Sequence, residues 1–191
     1  MKGRRAGAPR RLSARTALAA ALAAGVMLAC SGAAQQMPFA APEFTHTTPA
    51  EWLNSEPLQL AKLRGKVVLV EFWAFECVNC LASKAWVESV AKSRAGAGLV
   101  VVAVHTPELR DERSPDNVRA AVARLGIHYP VMMDGDYSYW NALGNQFWPA
   151  FYLIGRDGLV HGRAIGELHV GDGTARPVEA LIDQLLAAAK P

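Results

Sequence analysis

Short apolar, β-branched runs alternate along this chain with segments whose apolar positions recur at helical spacing. Lys66–Trp73 and Leu99–His105 are apolar at most consecutive positions, broken only by Lys66, Glu71 and His105, the pattern of strands buried on both faces. Tyr129–Met133 predicts a shorter strand. Ala150–Ile154 and Leu159–Ile165 read as a hairpin through the turn Gly155-Arg156-Asp157-Gly158. Between these runs, Cys77 to about Ser93 predicts a helix. Ser114–Leu125 predicts another, with Ser114 as cap, Pro115 at its first position and Gly126 as terminator. Pro49–Leu53 and Tyr137–Leu143 read as helical turns, the first with Thr47 or Thr48 as its cap. Leu58–Lys66 reads as a connector, and Val178–Ala189 as a closing amphipathic helix. Strands separated by helices pair in parallel, and a late hairpin adds antiparallel edges. The expected architecture is α/β: a central mixed β-sheet flanked by helices on both faces, with no internal repeat.

The first 30 residues follow a different pattern. Six basic residues and no acidic one precede an alanine-rich stretch, Thr16–Ala29. Basic residues followed by a short apolar core are the order of an export signal. The core is shorter than the roughly 20 residues that span a bilayer. Met27-Leu28-Ala29-Cys30 resembles a lipobox, which makes Cys30 a candidate lipidation site and accounts for the odd cysteine among three. A rival small-residue cut, Gly32-Ala33-Ala34 before Gln35, would remove Cys30 instead. Residues 31–43, rich in Ala, Gln and Pro, read as a flexible tether. The folded domain is expected over 44–191.

Charge matters once the leader is set aside. The whole chain carries 20 basic and 17 acidic residues, but without the leader's six basic residues the balance is −3. A mildly acidic domain has no basic footprint for nucleic acid. Contact with a membrane is expected only through the candidate lipid anchor.

The candidate chemistry lies in Cys77-Val78-Asn79-Cys80, where a buried strand turns into a helix. A cysteine at a helix N-terminus is favoured as thiolate, the species that attacks disulfides. A disulfide closing so small a loop restricts the unfolded chain little, so a structural staple is the weaker reading. Structural zinc would need four ligands, and only two cysteines are here. Cys77 is the expected nucleophile, being nearer the solvent end of the turn, and Cys80 the resolving thiol.

Glu71-Phe72-Trp73-Ala74-Phe75-Glu76-Cys77-Val78-Asn79-Cys80 resembles the active site of the thioredoxin superfamily. Leu63-Arg64-Gly65-Lys66-Val67-Val68-Leu69-Val70 resembles the first core strand of its exported TlpA/ResA-like branch. Asn79, Val104-His105-Thr106-Pro107-Glu108, Asp134-Gly135-Asp136-Tyr137 and Trp148-Pro149-Ala150 are similar to DipZ-type thioredoxin-like domains. The resemblance covers roughly residues 45–190 and implies a thioredoxin-like fold. It also implies a Cys77–Cys80 disulfide with no cofactor, and proton transfer by Glu71 to or from the resolving thiol. Burial of that carboxyl would raise its pKa toward neutrality, as the role requires. Trp148-Pro149 resembles the cis-proline segment that leaves backbone free for an extended substrate. Trp73 and Glu76 are expected to flank the disulfide as substrate-binding residues, and the Glu76 carboxylate either disfavours the Cys77 thiolate or cups a partner from the surface. One departure stands out: Ala85 holds the place where the family usually has a helix-kinking proline.

The resemblance implies an exported thiol–disulfide oxidoreductase that reduces protein disulfides and draws electrons from a membrane donor of the DsbD/CcdA type. Two other readings use the same cysteines. A peroxiredoxin-type peroxidase is disfavoured by Ala74, where threonine would stand. A copper carrier suits soft thiolates, but such carriers usually have three residues between the cysteines. The five histidines, His46, His105, His128, His161 and His169, show no ligand spacing, so no metal site is expected. His105, at a strand end near the site, is the least ordinary of them.

Overall fold

The computed structural model describes Gly3 and residues 37–188. Apart from Gly3, the expected export signal with Cys30, and the expected tether up to residue 36, lie outside the described residues. Seven strands form one sheet: β1 (Phe39–Ala40), β2 (Trp52–Leu53), β3 (Val67–Trp73), β4 (Leu99–His105), β5 (Val131–Met133), β6 (Ala150–Ile154) and β7 (Leu159–Ile165). Their spatial order is β1-β7-β6-β3-β4-β5-β2. β3, β4 and β5 are parallel, joined by crossover helices α1 (Val78–Arg94) and α2 (Pro115–Leu125). β6 returns antiparallel to β3 and continues into β7. Helix α3 (Ser138–Ala142) and helix α4 (Ala175–Ala187) complete the fold.

β3 is buried at every position because both faces are covered. Val68, Val70 and Phe72 meet Tyr139 and Trp140 of α3, together with Phe44 and Trp52. Val67 and Leu69 meet Trp86, Val87 and Val90 of α1 and Ile182 and Leu185 of α4. Ala103 and Val131 carry that second face on to Val118, Ala121 and Val122 of α2. The expected mixed sheet with helices on both faces is the observed one, and it is thioredoxin-like.

Four boundaries differ from expectation, each for a local reason. The tether expected to residue 43 is paired from Phe39, where β1 lies against Val160 and Leu159. Glu43 then accepts the Leu60 and Ala61 N–H groups, so this segment is fixed to the domain. The Pro49–Leu53 turn is split. Pro49–Glu51 is a 3₁₀ turn, and Trp52 instead joins the sheet opposite Met132 and buries its ring. β5 starts at Val131 rather than Tyr129, because Pro130 has no N–H to give to a ladder. α4 starts at Ala175, ahead of Pro177, since a proline in the first helical turn removes no intrahelical bond.

Candidate redox site

β3 ends at Trp73, and the chain crosses Ala74-Phe75-Glu76 to reach α1. Cys77 is the N-cap of that helix, and its Sγ accepts the Cys80 N–H at 3.2 Å. The two cysteines are joined as a disulfide with Cα atoms 5.2 Å apart. Cys77 is 7% exposed and Cys80 2%, so the first sulfur is the more reachable. A backbone N–H aimed at Sγ, at the positive end of a helix, stabilises a thiolate at Cys77. α1 runs unbroken through Ala85, where the family's proline would have interrupted the ladder.

Glu71 lies on the inner face of β3, opposite Ala103 and Phe151, and is 3% exposed. Burial alone raises its pKa to about 8. A cavity of about 10 Å³ is lined by Glu71, Trp73, Cys80, Lys84 and Tyr129 among others. That is room for one water molecule. The Glu71 carboxyl and Cys80 therefore face the same small space. Burial also pushes the Tyr129 phenol upward, with the Glu71 charge as a second cause. Sequence reasoning missed Lys84 and Tyr129. Lys84 had a signal, since it stands four residues after Cys80 and so shares its helix face. Tyr129 had none, because its approach to Glu71 depends on the packing of a distant strand end.

The remaining expected residues surround this pair at different depths. Trp73 is buried at 3% exposure and clusters with Cys77 and Cys80, backing the disulfide from inside rather than meeting a partner at the surface. Glu76 is exposed beside Cys77. The Trp148–Pro149 peptide is cis. Trp148 is half-buried, its ring 4.1 Å from that of Trp140 and its Nε1 donating to the Thr106 carbonyl at 3.0 Å. Pro149 is buried next to β6.

His105 ends β4 opposite Trp73, with its ring stacked on Phe75 at 5.5 Å and edge-on to Trp73 at 5.2 Å. Burial lowers its pKa to about 4, so the imidazole is neutral at physiological pH. Its Nε2 has no hydrogen-bond partner among the described residues. A further buried acid, Glu112, was not foreseen and touches the active-site turn through Glu76. Away from this site, atoms of His46, Asp134 and Asp136 lie within 4.8 Å of one another, a grouping that could hold a metal ion. Each is already engaged within the protein. His46 bonds Glu51 through Nδ1 and Asp134 through Nε2, and Asp134 also accepts the Tyr139 and Trp140 N–H groups. The cluster reads as an ion-paired clip.

A Redoxin family model matches residues 36–182. The chain belongs to the Redoxin family. It is 41% identical over 143 residues to Protein DipZ of Mycobacterium bovis, a match covering 73% of this chain and 20% of that protein. The chain thus spans about a fifth of the length of that relative. It is 26% identical over 136 residues to the thiol-disulfide oxidoreductase YkuV of Bacillus subtilis, covering 71% of this chain and 88% of the relative. Among solved structures, the thioredoxin-like superfamily protein SPOA0173 superposes with a TM-score of 0.68 at 26% identity, covering 80% and 99% of the two chains. A putative thiol:disulfide interchange protein DsbE from Chlorobium tepidum superposes at 0.66 and 22% identity, covering 78% and 97%, and supports the fold alone.

Proposed function

We propose that this protein is an exported thiol–disulfide oxidoreductase that reduces disulfides in partner proteins. The observation that carries the reading is the Cys77–Cys80 disulfide at the N-terminus of α1, with Glu71 facing Cys80 across a one-water cavity. In the reduced protein the Cys77 thiolate attacks one sulfur of a substrate disulfide, forming a mixed disulfide and releasing the first substrate thiolate, which takes a proton from water. The minor ionised fraction of Glu71 takes the Cys80 proton across the small cavity, and the Cys80 thiolate attacks the Cys77 sulfur. The mixed bond breaks, the Cys77–Cys80 disulfide closes and the second substrate thiolate leaves. Two electrons pass from the Cys77–Cys80 pair to the substrate. Glu76, Trp148 and Pro149 form the rim at which an extended partner segment lies.

Domain organisation completes the proposal. Residues 1–30 hold the export signal, Cys30 carries a lipid in the mature protein, and residues from about 39 form the redox domain. Recharging draws electrons from a membrane donor of the DsbD/CcdA type. The mass of the mature exported N-terminus tests the anchor: a lipid on Cys30 supports it, and a chain starting at Gln35 overturns it.

Trapping tests the chemistry. A Cys80→Ser variant is expected to accumulate mixed disulfides with partner proteins, and a Cys77→Ser variant is not. Equal trapping by both would contradict the assignment of nucleophile and resolving thiol. Peroxide turnover by the wild type faster than its disulfide exchange would favour a peroxidase, which Ala74 argues against.

A further inference from the structure

Glu112 has no part in the exchange chemistry, yet its side chain is nearly as buried as any in the protein, at 1% exposure. It sits in the 3₁₀ turn Arg110–Arg113 that leads into α2. Its carboxylate accepts three main-chain N–H groups from two separate segments. Oε1 takes the N–H of Glu76, and Oε2 takes those of Glu108 and Leu109, each at 2.7 Å. Glu76 is the residue immediately before Cys77, and Glu108 and Leu109 belong to the loop leaving β4. A buried carboxylate held by three N–H groups is bound by short, charge-assisted bonds, and its loss would leave donors stranded.

The charge is met by these dipoles rather than by a paired cation. Arg119 is held by Asp116 and the Ala50 carbonyl. Arg113 lies over the Tyr137 ring, 5.6 Å from its centre. The neutral imidazole of His105 lines the same cavity as Glu112, about 510 Å³ in volume, together with His46, Asp116 and Asp136. Glu76, exposed beside the nucleophile, is the other anionic group on the turn.

We propose that Glu112 is a positioning residue for the redox site: it fixes the turn before Cys77 through the Glu76 N–H, and its charge holds down the reactivity of the Cys77 thiol. The inference rests on the exchange reaction proposed above. Removing a buried negative charge near a thiol favours its thiolate, and stabilising the thiolate makes the disulfide a stronger oxidant.

The test compares full-length wild type, Glu112→Gln and Glu112→Asp. Gln keeps the shape, removes the charge and turns one acceptor oxygen into a donor NH2, so it can hold the N–H groups of only one of the two segments; Asp keeps the charge and both acceptors and shortens the reach to Glu76. In a Cys80→Ser background, Glu112→Gln is expected to raise the rate of Cys77 alkylation at pH 6 by roughly threefold. It is also expected to make the Cys77–Cys80 pair more oxidising against glutathione. Glu112→Asp is expected to lower kcat/KM for a model disulfide by about fivefold, with the alkylation profile of the wild type. A merely structural Glu112 would lower the thermal midpoint of both variants and leave profile, potential and kcat/KM unchanged, and that result would overturn the proposal. If the Gln variant does not fold, the Asp variant decides by kcat/KM alone. A wild type inert toward disulfides would overturn the exchange reading and this proposal together, whereas active variants matching an active wild type overturn only the role of Glu112.

Discussion

Glu71 shows what a single buried carboxyl can do. Its pKa of about 8 means that the folded protein holds a proton that the unfolded chain releases near 4.5. This contribution to stability is complete below 4.5 and is lost as pH rises through 8. Glu71→Gln removes the titration. Urea unfolding across pH 5 to 9 is expected to show wild-type stability falling relative to the variant by on the order of a few kcal/mol. The same variant is expected to slow release of substrate from the mixed disulfide by about 10- to 100-fold while leaving its formation unchanged. An unchanged release rate would remove Glu71 from the mechanism. Cys77, Cys80 and Glu71 were legible in the sequence because their relation is local: six residues of strand and turn and three of helix. Glu112 was not. Its bond to Glu76 spans 36 residues, and a lone Glu in the run Arg110-Asp111-Glu112-Arg113 looks like any solvated charge.

Between elements, two small clips hold the site's surroundings. His46 joins the segment before β2 to the loop after β5. Its hydrogen bond to Asp134 is the largest cause of a pKa raised to about 9, with Glu51 and the Asp136 charge adding to it. The clip stabilises fully below 6.5 and is lost as pH rises through 9. A His46→Asn variant is therefore expected to lie below wild type in urea stability at pH 6 and to converge with it above pH 9. A constant difference would contradict the ion-paired reading. Ser83 is the second clip: from α1 it accepts the Leu168 N–H at 3.0 Å and donates to the Asn79 carbonyl at 3.1 Å. Ser83→Ala leaves a buried N–H without its partner, an expected loss of about 1–2 kcal/mol in denaturant unfolding. The long strands and α2 could be read from pattern because continuous apolar runs, a serine cap and a terminal glycine are local signals. β1 and β2 could not, since a two-residue strand has no period. Their pairing is decided by the burial of Trp52 and by the edge that β7 presents to Phe39.

At the scale of the whole molecule, the sheet brings three distant stretches to one end: the turn after β3, the loop after β4 and the Trp148-Pro149 segment before β6. Bringing these stretches together requires β3 to lie between β4 and β6, parallel to one and antiparallel to the other. Alternation of strands and helices gave the class of this sheet, while the order of its strands is decided by packing between segments distant in sequence. The arrangement leaves Cys77 at the solvent end of a helix N-terminus and Cys80 sealed behind it, which suits a pair that cycles between dithiol and disulfide. The most direct measurement is a redox titration of the Cys77–Cys80 pair against glutathione, followed by alkylation and mass. A two-electron transition at or below about −230 mV, toward the thioredoxin end of the scale, is the predicted result for a reductant of protein disulfides. A potential near about −120 mV, or a pair that never closes its intramolecular disulfide, would contradict it.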